Sequence, residues 1–321
     1  MRKHLILFWG ICLALPVSAT EVDNFQPHLI KQRDVLTELD ALTNYRLQEA
    51  EKAANAQGHG CNHVVMRQAV WNTLGAQMVW GHLENDVERL DKVFDKIHIP
   101  VEQSIYKNLH ASESFFVWGI VNLVIDIAST IRVGNYRIGS DKLGHFFAQG
   151  ADLFSVAYSQ NQGIEEALKL AISQERGYYG SFVSGVYSYG DVSADFAGMI
   201  FWSKITPQYA KQGPFSGPPY FTCINGAWKQ TQKFTWAGII NGSWDEAVNC
   251  SAFRDKNIHD KVYLTIDQIA EVYRQKTGKT VNLHCPILPE QCLEAVQSAK
   301  QFAPYLIHPK CIAAAKSLYH G

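Results

Sequence analysis

In the stretch YRIGSDKLGHFFAQGADLF (136–154), an acid, a lysine and a histidine fall within five positions: Asp141, Lys142 and His145. Further along stand Glu175 and then an acidic pair, Asp191 and Asp195, one helical turn apart. Carboxylates, an imidazole and an ammonium drawn into one partly dry pocket suit acid–base or metal-assisted chemistry. His145 can take and return a proton near neutral pH. The carboxylates could fix its tautomer or bind a divalent cation. Lys142 can neutralise a phosphate as a point charge.

Each residue also has a plainer reading. At about 100° per residue, Asp141, His145, Gln149 and Asp152 share an arc of about 80°, with Lys142 at its edge. Leu143, Phe146, Phe147, Leu153 and Phe154 cover the other side. That pattern also describes a surface helix capped by Ser140, with Asp141 favouring the positive end of the helix dipole. Asp191, after Gly190, could serve as a cap, and Glu175 beside Arg176 as a solvated helix end. The second acidic helix tilts the balance. Ser193, Ala194, Phe196 and Ala197 give it no broad charged exterior, so its narrow acidic stripe calls for a shared polar pocket. Gly198 continues the same face and would let another helix approach closely.

The elements that must position these groups are helical. Leucines recur at helical spacing from Phe25 to Asn55, and Val64 to Ile97 has similar texture, closed by Pro100. Phe115–Ile131 is strongly apolar but contains Asn122 and Asp126, which favours a buried core helix over a bilayer span. Helices are expected over Asp141–Tyr158, Ile164–Arg176, Asp191–Lys204, Thr265–Gln275 and Pro289–Phe302. The glycine- and tyrosine-rich GYYGSFVSGVYSYG (177–190) reads either as an amphipathic lip touching a membrane or acyl chain, or as a loop packing Tyr178, Tyr179, Phe182, Tyr187 and Tyr189 over the bundle. KQGPFSGPPY (211–220) has linker composition.

The first nineteen residues, MRKHLILFWGICLALPVSA, read as a cleavable secretory signal. Loss of Cys12 leaves six of the seven cysteines, an even number that fits a disulfide framework with its pairing open. Five of those six lie beyond residue 220, so the C-terminal third is expected to be stapled. The fold expected is mainly α: a leader (1–19), an N-terminal helical region (20–110), a central bundle of about four helices carrying the polar site (111–206), and a cysteine-rich extension (207–321). Asp245 and Glu246 in that extension could line the pocket, but a surface turn beside a disulfide is the reading preferred.

The ordered set Asp141-Lys142-x-x-His145-Phe146, Glu175, then Tyr189-Gly190-Asp191-x-x-Ala194-Asp195-x-x-Gly198 resembles the VanZ-like and YfiM-like bacterial proteins over residues 115–204. The resemblance implies membership of a proposed superfamily acting on lipid head groups, with polar residues converging inside a compact helical bundle. VanZ-like members span membranes several times, whereas the leader here points to an exported branch, periplasmic or secreted, that meets a lipid surface peripherally. The expected activity is hydrolysis or exchange of a phosphate-linked head group on a lipid or polyprenol carrier. In it His145 would be base or nucleophile, Asp141 its orienting partner, Lys142 the oxyanion partner, and Glu175, Asp191 and Asp195 the rest of the acid–base set. A divalent ion, if used, would fall to Asp141, His145, Asp191 and Asp195. The alternatives are a non-enzymatic envelope scaffold binding lipid or a partner, and a metal-dependent peptidoglycan or peptide hydrolase. The last lacks an H-E-x-x-H helix and a G-x-S-x-G elbow.

The composition, 47% hydrophobic and 18% charged over 321 residues, is that of a globular chain. A formal net charge of −1 without a Lys/Arg block excludes the electrostatic footprint of a nucleic-acid binder.

Overall fold

The computed structural model describes residues 21–77, 80–115, 127–177 and 180–319. The leader, most of the 115–131 run with Asn122 and Asp126, and Tyr178 and Tyr179 lie outside them. The protein is mainly α. In chain order, α1 (Leu36–Ala56) and α2 (His63–Leu74) are followed by a two-stranded hairpin, β1 (Ala76–Gln77) and β2 (Trp80–Gly81), and by α3 (His82–Arg89). A three-stranded antiparallel sheet, β3 (Lys96–Ile97), β4 (Thr130–Val133) and β5 (Tyr136–Gly139), leads into the central helices. These are α4 (Asp141–Phe147), α5 (Gln149–Phe154), α6 (Ile164–Arg176) and α7 (Tyr189–Ser203), with β6 (Val186–Ser188) ahead of α7. The extension adds α8 (Pro207–Ala210), hairpin β7 (Phe221–Ile224) and β8 (Ala227–Gln230), α9 (Glu246–Asn249), β9 (Ser251–Phe253), α10 (Lys256–Thr277), α11 (Pro289–Ala299), α12 (Ala303–Leu306) and α13 (Pro309–Tyr319).

Three segments depart from the periodicity. The expected helix from Phe25 is a 3-10 turn at Gln26–Leu29, an extended stretch, and then α1. The stretch runs beside β4, where the Val35 N–H donates to the Arg132 carbonyl and the Arg132 side chain to that of Gln32. Backbone pairing therefore outcompetes local helix propensity there. The 64–97 region breaks at Gly75 into the hairpin, because Gly81 must sit against Gly144: a Cβ on Gly81 would lie 2.6 Å from the Gly144 Cα. The expected Asp141–Tyr158 helix is α4 and α5, then one π-helical turn at Ser155–Ser159.

A glycine contact sets how the central helices cross. A Cβ on Gly198 in α7 would lie 1.9 Å from the Phe146 carbonyl oxygen and 3.0 Å from the Gly150 Cα. The close approach anticipated at Gly198 is made, and α4 and α5 are the partners. Around the crossing, Phe146 and Phe147 pack with Phe201, and Trp236 from the extension sits 4.8 Å from the Phe146 ring. Phe234, Trp236 and Trp244 are almost fully buried in that same aromatic core. Trp236 also donates its indole N–H to Thr43 of α1 at 2.9 Å.

Disulfides Cys250–Cys285 and Cys292–Cys311 staple the extension, and Cys61–Cys223 ties the α1–α2 connection to β7. No helix among the described residues is long and apolar enough to cross a membrane.

Because backbone lies where a Gly198 side chain would go, Gly198→Ala is expected to cost about 3 kcal/mol or more. Urea unfolding checks this, and a variant with the parent's midpoint would mean that the helices do not cross there.

Candidate functional site

The β5 strand ends at Gly139 and turns through Ser140 directly into α4, so Asp141 and Lys142 enter the protein at a helix start. Ser140 does not cap the helix as its position suggests. Its hydroxyl donates to Glu88, which also takes the Ser129 N–H and hydroxyl. Lys142 is fully buried, and its Nζ meets three carboxylates: Asp141 Oδ2 at 2.9 Å, Asp191 Oδ1 at 2.5 Å and Glu246 Oε1 at 2.6 Å. Burial alone would strip its proton, but Asp141, Asp191 and Glu246 outweigh burial and hold its pKa well above the usual lysine range.

One helical turn along, the His145 Nδ1 lies 2.8 Å from Asp195 Oδ1. Its Nε2 is 3.3 Å from Asp191 Oδ2, in ion-pair range without hydrogen-bond alignment. Burial opposes the charged ring, yet Asp191 and then Asp195 raise the imidazole to about 10. The carboxylate that orients His145 is thus that of Asp195, whereas Asp141, expected in that role, pairs with Lys142. Burial pushes Asp141 to about 6 against the pull of Lys142, and Asp195 to about 6 against that of His145. For Asp191 burial also acts upward, but His145 and Lys142 together hold it below its ordinary value. Glu175 closes α6 and accepts the Ser188 N–H at 2.7 Å. Burial, then Asp191, pushes it well above the carboxylate range.

All six residues singled out by sequence converge, and none is more than 6% exposed. Of the two other polar residues on the first stripe, Gln149 is buried and Asp152 lies on the exposed side.

Three further acids belong to the centre. Glu246, expected on a surface turn, is 3% exposed and is Lys142's third partner. Strand β6 pairs with β9 so that Ser188 faces Ser251, and both hydroxyls donate to Glu246, at 2.7 and 3.0 Å. Its neighbour Asp245 is also buried, capping α9 and binding His28 Nε2 at 2.8 Å. The apolar Trp244, Ala247 and Val248 around this pair were the signal against a surface turn. Glu84 of α3 is 1% exposed and held by the Gly81 N–H; a Cβ on Gly144 would lie 2.4 Å from its Oε2. Burial, then Asp141, raises it to about 8. Glu21 is raised to about 8 by burial and then Glu246. Nothing in the charged run HLENDVER (82–89), or at the chain position of Glu21, sets these two apart.

The centre therefore gathers Glu21, Glu84, Asp141, Glu175, Asp191, Asp195 and Glu246 around two cationic groups, Lys142 and His145. Ionised together, the acids would leave a surplus of negative charge that a buried site cannot carry. Protons or a bound cation must neutralise it. Asp141, His145 and Asp191 each offer a ligand atom within 4.8 Å of the others, so this group could hold a metal ion. Asp195 falls outside that group and meets the far nitrogen of the histidine, where a ligand's supporting carboxylate normally stands.

Two outcomes follow. Glu21, Glu84 and His145 keep protons in the folded state that the unfolded chain gives up near pH 4.5 and 6.5. The acids' share of stability falls as pH rises from about 4.5 to about 8, and that of His145 from about 6.5 to about 10. Thermal melts in chelator are expected to drop steadily between about pH 5 and about pH 9, and a divalent cation should restore more at the alkaline end. A flat profile would contradict the burial of these acids. Lys142→Met, which leaves three carboxylates facing an apolar stub, is expected to cost about 3–5 kcal/mol at neutral pH and less in acid. Urea midpoints at both pH values decide this.

No protein-family model, curated protein or solved structure matches the chain.

Proposed function

We propose that the protein is an enzyme that hydrolyses or exchanges a phosphate-linked head group on a lipid or polyprenol carrier, as the VanZ-like and YfiM-like resemblance implies. The observation that carries this reading is His145 set between Asp191 and Asp195 in one enclosed centre, with Lys142 a turn away. Side chains splayed onto separate surfaces would have spoken for a scaffold, and they are not splayed.

The pKa values in the centre are driven apart, which is how acid and base roles separate at one pH. Asp191, held ionised, is the base toward an incoming water or hydroxyl. His145, held protonated, is the acid for the leaving oxygen, with Asp195 fixing the ring. In hydrolysis the water oxygen bonds to phosphorus and the ester P–O bond breaks. One proton goes to Asp191 and one passes from His145 to the departing oxygen. This reverses the base role expected of His145. Lys142, with three carboxylates on its ammonium, keeps Asp191 ionised and in place; it is not a free phosphate ligand. A divalent cation, if held by Asp141, His145 and Asp191, would take the imidazole nitrogen that otherwise carries the proton; it would then replace this acid–base pair and supply positive charge toward the phosphoryl oxygens instead.

A surface pocket of about 340 Å³ is lined by Arg176, Ser181, Tyr187, Tyr189, Phe253 and Arg254, with Ala252. Tyr187 in its wall feels the charges of Glu175 and Asp195, which places the pocket near the acids. Its arginines suit an anionic head group. Phe182, 72% exposed on the same connection, suits peripheral contact with a lipid surface. The three disulfides suit an oxidising compartment, the periplasm or the exterior.

A second reading, a scaffold that binds lipid or a partner, is favoured by burial, since Asp191 is the most open of the six at 6%. Turnover separates the two. The purified protein, with chelator and with divalent ions, is expected to release head groups from phospholipids or lipid-linked sugars. His145→Ala should lower that rate about 10²–10⁴-fold. Activity untouched by the substitution would remove His145 from the reaction, and no turnover from a folded protein would leave the scaffold.

A further inference from the structure

Helix α7 has a second working face. Asp191 and Asp195 point to the acidic centre, while Phe196 and Ile200 line a separate cavity of about 360 Å³. Phe201, Trp244 and Leu306 wall it, each almost completely buried. Its polar lining is partly occupied, since the Ser193 hydroxyl donates to the Leu306 carbonyl and the Asn241 amide to that of Ile239. The interior is a slot with a mainly apolar lining.

The rim differs. Lys204 and Lys300 both line the cavity, and among the described residues neither has a carboxylate partner. Lys204 is half-buried under the 211–220 segment, where a Cβ on Gly217 would lie 3.2 Å from its Nζ. Burial, then the like charge of Lys300, lowers its pKa. Lys300 has a φ of 52°, a left-handed conformation uncommon for a lysine, and its Nζ lies 5.0 Å from the centre of the Phe215 ring. Two ammonium groups of one sign, held together without an acid, are short of an anion.

We infer that this cavity binds a single-chain amphiphile with an anionic head, its tail between Phe196, Ile200 and Trp244 and its carboxylate or phosphate between Lys204 and Lys300. The volume lies at the small end of ligand pockets, which favours one chain over a two-chain lipid. The lysines supply the complementary charge. The inference does not depend on the reaction proposed above.

Displacement of a fluorescent dansylated undecanoic acid tests it, with dodecanoate, dodecyl phosphate and uncharged dodecanol as competitors. Both anions are expected to displace the probe at least about tenfold more strongly than the alcohol. The better anion tells whether the natural head is a carboxylate or a phosphate. The Lys204→Gln/Lys300→Gln variant should lose that preference and retain the alcohol's affinity. Ala197→Trp, which fills the slot, should abolish binding of all of them while circular dichroism stays native. His145→Ala should bind like the parent, which separates this site from the catalytic reading. No probe binding by the parent protein, equal competition by the alcohol, or a double variant with its preference intact would each overturn the proposal.

Discussion

One ammonium in the interior organises this molecule. Lys142 cannot stay charged away from water unless carboxylates surround it, and those it uses come from residue 141, from residue 191 and from residue 246. Asp141 and Asp191 need the lysine in turn, since burial otherwise drives them toward their neutral forms. The pairing therefore fixes α4, α7 and the extension relative to one another. The aromatic core agrees with it: Phe146, one turn past Lys142, packs on Trp236 and Trp244, the latter two positions before Glu246. Charge and packing thus hold the extension to the bundle through the same short segments.

Close backbone contact lets the charges meet. The crossing at Gly198 brings α4 and α5 near enough for His145 to touch two acids of α7. Gly180 performs a similar service beyond α6, where a Cβ would lie 2.4 Å from Glu175 Oε1. The antiparallel pairing of β6 with β9 then delivers two hydroxyls to Glu246 from opposite strands. Helix geometry alone would not place all these groups; the strand pair that sequence periodicity passes over finishes the site.

Much of this was legible in the residues. The helical class, the exact span Ile164–Arg176 and the convergence of Asp141, His145, Asp191 and Asp195 follow from spacing, because period and one-sided polarity survive in any packing. The break after Phe147 was hidden, since it answers to the crossing with α7 and not to a local proline. Glu84 does not stand out in the sequence because its neighbours on α3 are charged. Glu246 was read as surface because an acidic pair beside a cysteine usually is. Partner choice was the least legible: helical spacing puts Asp141 on the face of His145 and names it the orienting partner, and only the three-dimensional crossing gives Nδ1 to Asp195.

The distribution of charge also bears on what can approach. An anionic phosphate could not near Asp191 while all seven carboxylates of the centre stood ionised, because the repulsion in a low-dielectric interior would exceed any gain from positioning. The centre must first be neutralised, by the protons held on Glu21, Glu84 and Glu175 or by a cation at Asp141, His145 and Asp191. Neutralising it would let the nearby positive groups, Arg176 and Arg254, set the local field. Under the reaction proposed above, with acids inside and arginines at the edge, protonation or cation binding would decide whether an anion is admitted, so occupancy of the centre and access to it would become one equilibrium.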